Sequence, residues 1–206
     1  MLQPSSHVKE YIESAILPLY NSFDPAHTVS HANTVIEQSM HLAQFYDVNV
    51  DMVYVIAAYH DVGLSGGREQ HHIISGRKLE ADQQLKAWFT AEQILLMKEA
   101  VEDHRASAKG LPRSIYGKIV AEADRDIVPM KIIKRTVQYC QSHNPSFSDE
   151  QVCDYCMNHL HEKYYYGGYL KLWLPESSNA AKLEELRQII ADEQGCRALV
   201  MGFIMN

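Results

Sequence analysis

Apolar residues recur at helical spacing along most of the chain, and the strict alternation typical of half-buried strands is nearly absent. The pattern predicts an all-α fold: one single-domain helical bundle over residues 1–206 with about 8–9 helices. The predicted helices cover 7–20, Asp24 to about Phe45, 50–62, about 71–88, Thr90 to about Ala106, 113–124, Pro129 onwards, Ser148 to about Tyr166, and 177–193.

Local signals mark several helix starts. Asp24-Pro25 combines an N-cap residue with a proline at the first helical position. Thr90 with Gln93, and Ser148 with Gln151, are capping boxes. The helix over 50–62 is apolar on nearly every side, which indicates burial, and the glycines that come after residue 62 end it.

Composition narrows the function classes. The chain has 206 residues, 46% of them hydrophobic, and a formal net charge of −7, so it lacks the basic footprint of a nucleic-acid-binding protein. No apolar stretch is long enough to span a bilayer, and the N-terminal segment has no signal-peptide pattern. Four cysteines do not make a disulfide framework, so we expect a cytoplasmic protein. Because no segment could span a bilayer, we expect no membrane partner.

Histidine and aspartate recur at the ends and on the faces of successive predicted helices. His60-Asp61 ends the apolar helix, where an unsatisfied polar pair would be costly to bury. Taken alone, this doublet is better explained as a plain helix terminus. The wider series places its members on different helices, as a metal site in a helical bundle requires: His31, His60, Asp61, His71, His72, His104 and Asp124.

The ordered series resembles the HD-domain superfamily of metal-dependent phosphohydrolases, in particular its small bacterial stand-alone members. The segments that carry the resemblance are His27-Thr-Val-Ser-His31, Ala57-Ala-Tyr-His60-Asp61-Val-Gly63, Glu102-Asp-His104-Arg and Ala123-Asp124-Arg125. The resemblance is strong over about 24–130, the expected metal-binding core, and weaker over 155–193. It implies that the C-terminal helices of 131–206 pack on that core.

By this resemblance, a first divalent transition metal (Mn, Fe, Zn, Ni or Co) would be held by His31, His60, Asp61 and Asp124. A second ion would be held by His72 and His104, with Asp61 bridging. His72 is preferred to His71 because His72-Ile-Ile-Ser-Gly76 matches the spacing of dinuclear members. Whether the site holds one or two ions stays open.

Basic residues near these ligands suggest contacts to a phosphoryl group. The predicted catalytic residues are Asp61, Arg68 and Arg125, and the predicted substrate-binding residues are Arg68, Arg105 and Lys109. For Arg68 and Arg125 a solvated surface charge is an equal alternative, and for Lys109 it is the better one. Leu64 and Arg125-Asp126-Ile127 depart from familiar subgroups, which leaves the substrate open.

The resemblance and the ligand set favour a phosphohydrolase that uses a metal-activated water on a nucleotide or another small phosphorylated metabolite. An HD-fold di-iron oxygenase with the same ligands is the alternative, and a non-catalytic metal- or nucleotide-binding protein is a third. Cys153 and Cys156, which share a helix face with His159, are assigned to packing rather than to zinc. The apolar end Met201–Met205 is expected to pack on the core or on a second copy, so a homodimer stays open.

Overall fold

The structure is a computed structural model that describes residues 2–23, 27–105 and 110–205. Regular structure in these ranges is helical throughout, which confirms the all-α prediction. The α-helices are α1 Ser6–Tyr11, α2 Val29–Ala43, α3 Val50–Tyr59, α4 His71–Ala81, α5 Gln83–Trp88, α6 Ala91–Asp103, α7 Ile115–Ala123, α8 Pro129–His143, α9 Asp149–Tyr164, α10 Ser178–Ala191 and α11 Glu193–Ile204. A π-helical turn, Ile12–Ile16, and two 3₁₀ segments, Leu17–Ser22 and Val62–Gly66, complete the described elements.

Contacts group the described chain into two compact units, residues 1–125 and residues 126–206. The first unit contains α1 to α7 and the second contains α8 to α11. A single domain over 1–206, with the C-terminal helices packed on the metal-binding core, stays a prediction.

Helix α3 is the centre of the first unit. Every residue from Met52 to Tyr59 is buried, and the helix packs against α2, α6 and α7. The Asn49 side chain caps its N-terminus by accepting a hydrogen bond from the Met52 amide. Because a helix that is apolar all round must be buried, α3 carries the doublet at its C-terminal end, His60-Asp61, into the interior.

The N-terminal helices differ from the sequence-based expectation. The predicted helix over 7–20 is α1 followed by the π-helical turn and a 3₁₀ segment, and Pro18 lies at the start of that segment. Helix α2 begins at Val29, because the Thr28 side chain caps it, so the predicted start at Asp24 was wrong. Asp24 and Pro25 themselves lie outside the described residues.

Asp82 divides the predicted helix over 71–88 into α4 and α5. Its backbone is extended, and its carboxylate accepts hydrogen bonds from the amides of Gln84 and Leu85 as the N-cap of α5. The other carboxylate oxygen accepts the hydroxyls of Tyr11 and Tyr59 at 2.5 and 2.6 Å. This break is one reason why the described chain has 11 α-helices rather than 8–9.

The second unit is a four-helix assembly around its own apolar core, which includes all four cysteines. The extra helix α11 begins where the Asp192 side chain accepts a hydrogen bond from the Gly195 amide. Met201, Phe203 and Ile204 pack against this core, while Met205 is exposed. Among the described residues no helix combines the length and apolarity needed to cross a bilayer.

Candidate metal centre

The buried doublet His60-Asp61 stands at the C-terminal end of α3. His60 is 0% exposed and Asp61 is 3% exposed. The Nδ1 atom of His60 lies 2.7 Å from the Ala57 carbonyl oxygen, so it bonds within its own helix end. Since a carbonyl can only accept, Nδ1 carries a proton, and Nε2 faces the opposite side of the ring.

Two further histidines are held in the same way. His104 Nδ1 lies 2.6 Å from the Val101 carbonyl oxygen, and His71 Nδ1 lies 2.7 Å from the Arg68 carbonyl oxygen. In each case the ring bonds to a carbonyl three residues earlier, so its Nε2 atom is the one that can bind a proton or a metal ion. A bond of this kind on the second ring nitrogen is the usual companion of a metal-binding imidazole.

The first donor group consists of His31, His60 and Asp124, which come from α2, α3 and the end of α7. His31 Nε2 lies 3.2 Å from His60 Nε2 and 3.2 Å from Asp124 Oδ1. His60 Nε2 and Asp124 Oδ1 are 3.8 Å apart. Asp61 Oδ2 joins this group at 3.2 Å from His60 Nε2 and 3.6 Å from His31 Nε2.

The second donor group consists of Asp61, His71 and His104, from the ends of α3, α4 and α6. The Nε2 atoms of His71 and His104 are 3.0 Å apart. Asp61 Oδ1 lies 3.3 Å from His71 Nε2 and 3.5 Å from His104 Nε2. The two carboxylate oxygens of Asp61 therefore face different donor groups, which is the arrangement of a bridging carboxylate.

These distances fit metal ions. Two ligand atoms at about 2.0–2.1 Å from one ion, at tetrahedral or octahedral angles, lie roughly 2.8–3.4 Å apart. Within each group the ligand atoms lie within 4.8 Å of one another. The 3.0 Å separation of the His71 and His104 Nε2 atoms requires a proton or a metal ion between the two rings. Imidazole and carboxylate together suit Mn²⁺, Fe²⁺, Zn²⁺, Co²⁺ or Ni²⁺.

The electrostatics of the centre also favour a bound cation. Burial raises the pKa of Asp61, but His60, His104 and His31 lower it more, so it stays well below its usual range. Burial lowers the pKa of His31, yet Asp124 and Asp61 raise it to about 9. The two carboxylates thus attract positive charge to the point between the rings.

The structure brings His71, and not His72, into the second donor group. The geometry therefore favours His71 where the sequence favoured His72, because His71 is the first residue of α4 and its ring lies against the Arg68 carbonyl. His72 lies outside the group, and burial together with Arg105 lowers its pKa to about 4. Which of the two histidines binds a metal stays a prediction.

Two residues near the centre had no role in the sequence-based prediction. The buried Tyr20 hydroxyl donates to the Ala58 carbonyl at 2.9 Å and accepts from the Asp61 amide at 3.3 Å, which holds the backbone of the doublet. His27 Nε2 lies 4.0 Å from Asp61 Oδ2. His27 lies four residues before His31, and this helical spacing could have indicated its place near the centre. Nothing in the sequence pattern singles out Tyr20.

The predicted basic residues are spread around the centre. Arg105 is half-buried and donates through Nη1 to the Glu69 carbonyl at 2.5 Å. Arg68 is exposed, and its carbonyl accepts the His71 hydrogen bond. Arg125 Nη1 lies 3.3 Å from Oε2 of the buried Glu122, so its charge neutralises an interior carboxylate. Lys109 lies outside the described residues.

Two groups of histidine and aspartate side chains meet at Asp61. This arrangement defines the protein as a candidate dinuclear metal protein of the all-α class. The family model of the HD domain matches residues 28–127, a range that holds both donor groups. Residues 28–127 therefore form an HD domain. An HD domain implies metal-dependent activity of the hydrolase type. The comparisons with curated proteins and with solved structures found no match.

Proposed function

We propose that this protein hydrolyses a phosphate ester or phosphoanhydride of a nucleotide or another small phosphorylated metabolite. The observation that supports the proposal best is the position of Asp61, whose two oxygens each lie within 3.6 Å of two imidazole Nε2 atoms. A carboxylate shared in this way suits two divalent cations, and paired cations are typical of phosphoryl-transfer sites.

In this proposal His31, His60, Asp61 and Asp124 hold one divalent cation, and His71, His104 and Asp61 hold the other. Bound cations supply Lewis acidity and a water of lowered pKa. The low pKa of Asp61, which His60, His104 and His31 bring about against the effect of burial, keeps it an acceptor with no proton to give. Tyr20 and the backbone bonds of the three histidines hold these donors in place before substrate arrives.

Arg105 is the best-placed of the predicted substrate-binding residues. It comes directly after His104, and its charge is near enough to depress the pKa of His72, after the larger effect of burial. Its Nη1 atom is anchored on the Glu69 carbonyl, so the side chain is oriented while other N–H groups stay available. A planar guanidinium held in this way suits the non-bridging oxygens of a phosphoryl group. Arg68 and Lys109 stay predictions as further contacts.

The same ligand set would serve a di-iron oxygenase, because imidazole and carboxylate also suit iron. The test therefore measures both chemistries on one preparation. Purified protein is analysed for metal content, screened for phosphate release across nucleotides and sugar phosphates, and assayed for O₂ consumption with the same compounds. Metal-dependent phosphate release is the expected result. O₂ consumption without phosphate release would favour the oxygenase and contradict the proposal.

Asp61→Ala and His60→Ala test the residues directly. Each is expected to lower kcat/KM by at least about 10²-fold and to lower metal content, because each removes a ligand. The matched control is His41→Ala, an exposed histidine on α2. Full phosphatase activity in Asp61→Ala would refute the proposal.

A further inference from the structure

A second feature that can recognise a ligand lies within the C-terminal unit. A cleft of about 280 Å³ lies between the loop after α9 and one face of α10. Its lining consists of Gly167, Gly168, Leu170, Lys171, Leu172, Ala180, Leu183 and Arg187. Two cationic side chains and several apolar ones thus share one small cleft.

The loop side of the cleft is tightly built. Gly167 has φ +81°, a conformation that favours glycine, and a Cβ at Gly168 would lie 2.7 Å from the Lys163 carbonyl oxygen. The amides of Tyr169 and Leu170 donate at 3.0 Å to the carbonyls of Glu162 and Lys163. The loop is therefore fixed on the end of α9, which gives the cleft a defined wall.

Arg187 is held in position before any ligand binds. Its Nε atom donates to the Tyr164 carbonyl at 3.2 Å, and its guanidinium lies 5.0 Å from the centre of the Tyr166 ring. Its Nη1 atom lies 3.7 Å from Glu184 Oε2. These contacts use Nε, Nη1 and the face of the group, so the outer edge at Nη2 can still donate.

Lys171 contributes the second cation. Its Nζ atom donates one hydrogen bond to the Gly168 carbonyl at 3.0 Å and has two further N–H groups. Among the described residues, the carboxylate that pairs with these two cations is that of Glu184, which faces Arg187. The lining itself therefore carries positive charge, on a chain whose formal charge is −7. Its leucines supply the apolar part.

We propose that this cleft binds a small organic anion, a carboxylate or phosphate monoester with a short apolar group. The anion would take hydrogen bonds from Lys171 and Arg187, while the apolar group would contact the leucines. A volume of about 280 Å³ lies just below the usual range of small-molecule sites, roughly 300–1,000 Å³, so the ligand has few heavy atoms. The lining shares no residue with the two donor groups, and the proposal does not depend on the proposed hydrolase activity.

The test is an NMR titration of the full-length protein with butyrate and with phenyl phosphate. Butyramide, which lacks the charge, is the matched neutral probe. We expect saturable shifts of the Gly167, Gly168 and Leu170 amides with the two anions and none with butyramide. Added salt should weaken binding, because these cations are partly exposed.

Lys171→Gln and Arg187→Gln should each weaken binding by about tenfold or more, because each removes a charge-assisted hydrogen bond. Lys182→Gln, which removes an exposed lysine of α10 outside the cleft, should leave the affinity unchanged. If Arg187→Gln fails to fold, the exposed Lys171→Gln still decides the question. Non-saturating shifts, or equal binding by the wild type and Lys171→Gln, would overturn the proposal. His60→Ala should bind normally, which separates this site from the metal centre.

Discussion

Three imidazoles of the candidate metal centre share one local device, a hydrogen bond from Nδ1 to the carbonyl three residues earlier. His60, His71 and His104 each lie at a helix terminus, where such a carbonyl is within reach. The resemblance to HD domains predicted His31, His60, Asp61, His104 and Asp124 as ligands of one centre, and their positions on several different helices are compatible with a metal site inside a bundle. It could not choose between His71 and His72, since adjacent helical residues differ by about 100° in direction and the choice depends on where α4 begins.

Alanine substitutions at these two positions provide the residue-level test. His71→Ala is expected to reduce the metal content from about two ions per chain to about one, because it removes a donor of the second group. His72→Ala should keep both ions. Elemental analysis of the two dialysed proteins measures this directly. The opposite pattern would restore His72 as the ligand.

At the scale of elements, a close approach at Gly63 connects the His60-Asp61 doublet with α4. A Cβ at this position would lie 2.1 Å from the His71 carbonyl oxygen and 2.5 Å from the Ser75 amide nitrogen. The Gly63 amide donates to Ser75 Oγ at 2.8 Å. The 3₁₀ segment after Asp61 therefore packs directly on the first turn of α4, which carries His71.

Gly63→Ala should push the start of α4 away from the doublet. We expect a loss of about 1–3 kcal/mol in the free energy of unfolding, as for other overpacked interior sites, together with lowered metal content. Chemical denaturation and elemental analysis measure the two effects. Gly110→Ala is the matched control, because a Cβ there meets open space. Equal behaviour of the two variants would show that the close approach has no consequence.

Asp82 links α1, α3 and α5, since it accepts hydrogen bonds from Tyr11, from Tyr59 and from the first turn of α5. We therefore expect the stability of the first unit to depend on pH. Burial raises the pKa of Asp82. The hydrogen bonds from the Tyr11 and Tyr59 hydroxyls and from the Leu85 and Gln84 amides lower it by more, so the pKa lies below its usual value. A carboxylate with a lowered folded-state pKa stabilises the fold above the unfolded pKa of about 3.9 and loses this effect as the pH falls through the folded value.

Asp82→Asn is expected to lower the free energy of unfolding by about 1 kcal/mol at pH 7, because the asparagine oxygen can still cap α5 while its NH2 group replaces the oxygen that accepts the two tyrosine hydroxyls. The difference from the wild type should shrink as the pH falls below about 4. Urea unfolding at pH 7 and pH 3 measures it, with the exposed Asp47→Asn as control. A difference that does not change with pH would argue against this role of the carboxylate.

Helix starts were predictable where the cap is formed by residues close together in the sequence. Both capping boxes, Thr90 with Gln93 and Ser148 with Gln151, form as expected. The break at Asp82 was not predictable from the local pattern, since its energy comes partly from tyrosine hydroxyls that are distant in sequence. The same holds for the Tyr20 hydroxyl, which bonds to the far end of α3.

For the whole molecule, the helical periodicity predicted the all-α class, and the order of histidines and aspartates predicted the HD domain that the family model matches over residues 28–127. The substrate could not be predicted, because a phosphoryl group is recognised by a few donors whose positions depend on the folded loops. Arg105 illustrates this: its anchor is the Glu69 carbonyl, 36 residues away in the chain.

The metal centre requires that the histidine and aspartate donors of the first unit bind divalent cations. The proposed hydrolase activity depends on this binding. Anomalous X-ray diffraction from crystals of the protein soaked in Mn²⁺ is the decisive test. We expect one peak in contact with His31, His60, Asp124 and Asp61, and a second in contact with His71, His104 and the other oxygen of Asp61. Anomalous density confined to positions away from Asp61 would show that these donors do not form the metal site.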